Sequence, residues 1–310
     1  MKINMLAIET SGLTKQFGSA KAVDGLDLRV PEGSIYGFLG PNGAGKTTTI
    51  KMLTGLSAPT SGSMKICGRD VTFGSIKNRS DIGYLPDVPY FYGWMSAREY
   101  LGFSADMFGL NKAVLGNRIS ELLQLVGLED NKKRIKGYSR GMKQRLGIAQ
   151  ALISEPKVLF LDEPTSALDP IGRKEIMEVI RKLTGKITVF FSTHILSDVE
   201  RVCDRVVILD KGKVVSEDSI NNLREQYTVN GFLLKVPEDR TNEIFTILKN
   251  TGWVKKIEKT EDGDLKAYVK TIEKAEAEIP VILASKGIPL NKFTILEPSL
   301  EDIFMKVVNE

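Results

Sequence analysis

Gly40-Pro41-Asn42-Gly43-Ala44-Gly45-Lys46-Thr47 decides the fold. It satisfies G-x-x-x-x-G-K-[ST] at each fixed position, and its neighbours supply the required setting. Residues 34–39 (SIYGFL) read as a short buried strand and residues 47–53 (TTTIKML) as the opening of a helix. A glycine-rich turn between them lets backbone N–H groups curl inward around phosphate oxygens, and the helix N-terminus adds positive potential. Lys46 is placed to reach the β- and γ-phosphates of a nucleotide. The Thr47 hydroxyl is placed to ligate Mg²⁺, with Thr48 behind it.

The second half of such a site lies at Val158-Leu159-Phe160-Leu161-Asp162-Glu163. Four apolar residues in a row fit a strand covered on both faces, with the acids at its end. In a doubly wound α/β sheet, ligands sit at the carboxyl ends of the strands. Asp162 would hold Mg²⁺ through water, and Glu163 would polarise the attacking water. A solvated turn is the bland reading of two adjacent acids, and the upstream phosphate loop argues against it. Just before this strand comes YSRGMKQRLGIAQAL (residues 138–152), a Ser-x-Gly turn opening a basic helix, and just after it SALD (166–169).

In that order the motifs resemble the ATP-binding subunit of an ABC transporter, over roughly residues 5–225. The resemblance implies an α/β P-loop ATPase domain with a helical subdomain at about 88–150. It implies Mg²⁺-dependent ATP hydrolysis coupled to transport. Tyr138-Ser139-Arg140-Gly141-Met142 stands where the family carries Leu-Ser-Gly-Gly-Gln. Ser139 and Gly141 match, whereas Tyr138, Arg140 and Met142 depart. In the family this signature completes the ATP site of a partner subunit, so the resemblance implies a homodimer or a paired ATPase subunit. Ser166, Ala167, Leu168 and Asp169 resemble the D-loop that communicates between the two sites. His194, the one histidine of the chain, follows an apolar strand and matches the switch histidine that contacts γ-phosphate. Phe17 matches the aromatic that stacks on adenine, with an ordinary core phenylalanine as the alternative. Asp87 stands where the family usually carries a glutamine that touches Mg²⁺ and the attacking water. Its negative charge there resembles the ABC-2-type exporter branch, and a simple turn cap is the alternative.

The remaining sequence sets the context. Its 310 residues suit a domain of roughly 220 plus a small second one. A hydrophobic content of 42% and a charged content of 26% describe an ordinary globular chain. The net charge of +4 is spread thinly, and the densest basic run, Lys132-Lys133-Arg134, is too short to argue for nucleic acid. Cys67 and Cys203 lack metal-type spacing and read as reduced thiols. No stretch approaches the ~18 apolar residues of a membrane span. A transporter would therefore need a separately encoded integral membrane permease, with this chain peripheral on the cytoplasmic face of the cell membrane. Ser96 with Glu99 reads as a capping box, and residues 111–126 carry apolar residues at helical spacing. Pro89, Tyr90, Phe91, Tyr92 and Trp94 form an aromatic cluster that the resemblance makes a permease contact.

After residue 226 the motifs stop. Residues 226–310 read as β-α-β-β-α-β plus a last helix, a small ferredoxin-like α+β accessory domain. Dimer support is the first reading of its role, ligand sensing the second. Two other function classes stay open: a soluble ABC-type ATPase acting on nucleic acid or ribosomes, and a regulator that binds ATP without hydrolysing it. The chain lacks the long insertion or second cassette of the former, and Glu163 and His194 speak against the latter.

Overall fold

A computed structural model describes residues 5–75, 79–227, 229–296 and 298–309, so the outermost residues of both expected domains, Met1 and Glu310, lie outside the described residues. Two compact units are resolved, Met1–Ile220 with Phe304–Glu310, and Asn221–Ile303.

In the first unit, β1 (Leu6–Phe17) and β2 (Ala20–Pro31) form an antiparallel hairpin, turned at Gly18 with φ 57°. Next come β3 (Ile35–Leu39), α1 (Lys46–Leu53), β4 (Ser61–Ile66), β5 (Arg69–Asp70) and β6 (Ile82–Leu85). Three helices follow: α2 (Ala97–Met107), α3 (Lys112–Leu125) and α4 (Arg140–Ala151). The chain then alternates through β7 (Val158–Asp162), α5 (Pro170–Lys182), β8 (Thr188–Thr193), α6 (Leu196–Val202), β9 (Arg205–Asp210) and β10 (Lys213–Ser219); α7 (Ile220–Gln226) follows, all but its first residue assigned to the second unit.

Six of these strands form one sheet in the order β10-β9-β3-β8-β7-β6, parallel except for β10. β3, β7 and β8 are buried at each position, which explains the apolar runs at their centres: both faces are covered. A second, antiparallel sheet runs β2-β1-β4-β5. Their shared core gathers Ile8, Leu28 and Met64 with Tyr36, Phe38, Phe160 and Phe190, together with Ile50 and Leu53 of α1. Phe190 is its aromatic hub, 5.7 Å from Tyr36, 5.0 Å from Phe38 and 5.6 Å from Phe160 between ring centroids. Because the strands are parallel, the segments after Leu39, Leu85, Asp162 and Thr193 all leave from one edge.

Helix starts follow the sequence chemistry. The Ser96 side chain accepts from the Glu99 N–H while Glu99 reaches back to the Ser96 N–H, the reciprocal capping box that the spacing predicts. Asn111 caps α3, and Asp169 caps α5 ahead of Pro170. No helix among the described residues is long and apolar enough to cross a membrane.

The second unit holds β11 (Gly231–Lys235), α8 (Thr241–Lys249), β12 (Val254–Lys259), β13 (Leu265–Val269), α9 (Ile272–Ser285) and β14 (Lys292–Ile295). A last helix, α10, spans Leu300–Asn309. The strands pair antiparallel in the order β12-β13-β11-β14, the ferredoxin-like arrangement expected from the element order. Phe232, Leu234, Ile244, Trp253, Leu265 and Ile279 give this unit a core of its own.

Candidate functional site

The loop between β3 and α1 is built from glycines that nothing else can replace. A Cβ on Gly45, at φ 103°, would stand 2.3 Å from the Ala22 carbonyl oxygen, and one on Gly40 would stand 2.6 Å from that of Leu209. Gly45 is also the N-cap of α1, and it offers no side-chain cap to the first turn. N–H groups at this end are left for an anion. Pro41 and Thr48 are half-buried, Ala44 is buried, and Asn42, Gly43 and Thr47 lie open. Lys46 is 5% exposed and turns into the loop. Its Nζ donates to the carbonyl oxygens of Gly40 (2.7 Å) and Pro41 (3.2 Å) and lies 3.2 Å from Glu163 Oε1.

Asp162 and Glu163 leave the end of β7 with different surroundings. Asp162 is 2% exposed, and its Oδ1 accepts from Ser192 Oγ (2.7 Å) and Thr47 Oγ1 (3.1 Å). Burial pushes its carboxyl above the usual range, the two hydroxyls pull against this, and the charges of Glu163 and Asp87 push the same way as burial. Glu163 takes a left-handed backbone, φ 48°, and its N–H donates to the Ser192 carbonyl at 3.1 Å. That turn aims the carboxylate between two cationic or polar groups: Oε1 at Lys46, and Oε2 at His194 Nδ1, 3.0 Å away. The loop after β3, the end of β7 and the end of β8 thus meet at one point. Ser192 is the member that motif reasoning passed over. Its signal was a hydroxyl interrupting the apolar run Val189-Phe190-Phe191.

The donor set fits a hard cation that brings some ligands of its own. Among the described residues no three His, Cys, Asp or Glu side chains are gathered closely enough to hold a metal. Thr47 and Asp162 offer two oxygens side by side, where Mg²⁺ characteristically takes one or two protein ligands plus phosphate oxygens and water. A buried carboxyl crowded by two others is where added positive charge is most stabilising.

The other expected residues divide. Asp87 sits in the loop after β6, where its Oδ1 accepts from Ser166 Oγ at 2.7 Å. Ser139 caps α4, its Oγ accepting from the Met142 N–H at 3.2 Å, and both Ser139 and Arg140 are exposed. Gly141 has room: a Cβ there would come no closer than 3.9 Å to Gly172. Among the described residues, no hydrogen bond links residues 139–142 to Lys46, Asp162, Glu163 or His194. Within residues 166–169, Ala167 is left-handed at φ 51°, the Leu168 N–H donates to the Thr165 carbonyl, and Asp169 caps α5. Phe17 is 58% exposed, which removes the core reading, and Lys15 Nζ lies 5.1 Å over its ring. Of the aromatic cluster, Phe91 is buried while Tyr90, Tyr92 and Trp94 are exposed.

Known proteins resemble this chain in sequence and fold. The sequence matches the ABC transporter family over residues 23–166, and over residues 219–308 it matches the C-terminal domain of DrrA1-3-like ATP-binding proteins. It is 42% identical to the uncharacterized ABC transporter ATP-binding protein YxlF of Bacillus subtilis, across 98% of this chain and 100% of that one. The chain belongs to the ABC transporter ATP-binding proteins. Among other members, the bacitracin transport ATP-binding protein BcrA of Bacillus licheniformis is 40% identical across 97% of each chain. A dimeric ATP-binding cassette in a post-hydrolysis state, bound to ADP and phosphate, is similar in structure. Its TM-score is 0.62 at 25% identity, covering 69% of this chain and 98% of that one. The chain is thus an ABC ATPase that binds and hydrolyses ATP as a transporter subunit. Dimerisation and work with separate membrane components are typical of such subunits. The alternative of an ATPase acting on nucleic acid or ribosomes receives no support from these matches.

Proposed function

We propose that this ABC ATPase powers an exporter whose membrane-spanning part is a separate permease, and that it does so as a head-to-tail dimer. The observation that carries the catalytic reading is the line Lys46–Glu163–His194, with Lys46 Nζ 3.2 Å and His194 Nδ1 3.0 Å from the two oxygens of one carboxylate. Each group is where a γ-phosphate, an attacking water and a developing charge would have to be served. Glu163 orients and deprotonates the water, His194 holds the γ-phosphate side, and Lys46 moves from its carbonyl partners onto the β- and γ-phosphates. Gly40 to Thr48 cradle the polyphosphate, and Phe17 stacks on the adenine with its free face. Thr47 and Asp162 would hold Mg²⁺, while Asp87 turns its Oδ1 to Ser166. Bound there, the ion would neutralise charge on the β- and γ-phosphate oxygens.

Ser139, Arg140, Gly141 and Met142 stand at the open start of α4 and would complete the ATP site of a second subunit, with Ser166 to Asp169 between the two sites. The exposed Tyr90, Tyr92 and Trp94 are the proposed contact with the permease. That partner would hold the chain at the cytoplasmic face of the cell membrane. Export is favoured by the bacitracin transport protein among its relatives.

A tagged Glu163→Gln variant, purified from detergent-solubilised membranes with ATP, tests both parts. We expect a stable dimer that retains ATP, turnover lowered by at least about a hundredfold, and a multi-spanning protein in constant proportion. Full turnover would remove Glu163 from its role, and recovery of the chain alone would remove the permease.

A further inference from the structure

We propose that Asp87 is a positioning residue for Glu163, clamping the turn at residues 163–169 through the Ser166 hydroxyl. This deepens the ATPase reading above and rests on it. Asp87 is held from behind and holds what lies ahead. From behind, the Gln144 side chain on α4, 1% exposed, donates from Nε2 to the Asp87 carbonyl oxygen at 2.7 Å. Ahead, Asp87 Oδ1 accepts from Ser166 Oγ at 2.7 Å, across 79 positions of sequence. Ser166 in turn donates its N–H to the Glu163 carbonyl at 3.1 Å.

What makes this clamp necessary is the backbone it closes. Glu163 and Ala167, neither of them glycine, are both left-handed, at φ 48° and φ 51°. Such conformations persist only where the surroundings enforce them. Lys46 and His194 fix the far end of Glu163, its two carboxylate oxygens. The Ser166–Asp87 bond fixes the near end, its backbone. A hydrogen bond to a carboxylate is about twice as strong as one between neutral groups, so an acid suits this place. The same residue therefore ties α4, whose first residues carry the signature, to the carboxylate that activates the water. A displacement of the Asp87 loop reaches Glu163 through two hydrogen bonds.

The test compares Asp87→Ala, Ser166→Ala, the double variant and Asp87→Asn in the full chain. We expect each alanine variant to lower kcat about tenfold or more, with KM for ATP and the half-saturating Mg²⁺ concentration unchanged. The double variant should be no slower than the slower single, and Asp87→Asn, which still accepts, should recover most of the rate. Independently of turnover, amide exchange across residues 163–169 should quicken in both alanine variants without nucleotide. Additive losses, normal turnover in Ser166→Ala, or unchanged exchange would overturn the clamp. A raised Mg²⁺ requirement in Asp87→Asn would overturn it too, in favour of a cation ligand. Glu163→Gln and Lys46→Ala run alongside: if these turn over normally, the underlying catalytic reading has failed, and if they are inactive only the clamp is at stake.

Discussion

Asp162 and Glu163 are neighbours with the same functional group and opposite environments. Glu163 is paired at both oxygens, whereas Asp162 receives two neutral hydroxyls on one oxygen and lies buried between two other carboxylates. Its folded-state carboxyl is raised, so the folded chain holds that proton more firmly than the unfolded one. This favours folding at low pH and is lost as pH rises through the raised value. At neutral pH the charge works against the nucleotide-free fold. Asp162→Asn keeps an oxygen that accepts from Ser192 and Thr47 while removing the charge. The variant should melt higher than the native chain without nucleotide at neutral pH, although its turnover falls. Calorimetry at equal concentration checks this, and a lower melting point would mean that the charge is already compensated. Gly45 and Lys46 were legible from spacing alone, because a phosphate loop is local. Ser192 and the Asp87–Ser166 pair were not: their partners lie 30 and 79 positions away, and no local pattern announces them.

Among elements, the same division recurs. β3, β7 and β8 declare themselves as apolar runs because they are covered on both faces. β1 and β2, the longest strands among the described residues, carry no such signal. Their pairing shifts register between Leu6 and Ile8, between Thr10 and Leu13, and twice more by Gln16, so the alternation that identifies a half-buried strand is broken. Helix α2 shows how far a cap can be read. Its box predicts that Ser96→Ala costs about 1 kcal/mol, measured by denaturant titration at neutral pH. Glu99 adds a pH dependence. The Ser96 N–H, then the Ser96 side chain and Arg134, hold its carboxyl below the usual range. Its contribution is therefore present above the unfolded carboxyl value and lost as pH falls through the lower folded one. In Glu99→Gln the acid limb of the stability curve should be shallower. An unchanged limb would show that the carboxylate adds nothing to the cap.

At the scale of the molecule, relatives match nearly the whole chain, so both units have sequence counterparts in them. The transported molecule is not written in either unit. On the reading proposed above, its pocket belongs to the permease. The first unit has one further property, set by its strand order. β3, which launches the phosphate loop, lies between β9 and β8 in the sheet, and both come from the far side of the chain. Gly33 bonds across 155 positions to Thr188, and Ile35 across 169 to Asp204. Pairings so distant form late. During synthesis the phosphate-loop sequence leaves the ribosome long before anything exists to hold it in shape. A chain ended at Lys182 contains the full loop, Asp162 and Glu163, yet it should fail to bind immobilised ATP. Retention there would show that the elements before β8 can shape the loop. Otherwise the protein spends more than half of its translation carrying the motif without the pocket, and nucleotide cannot assist folding until β9 has emerged.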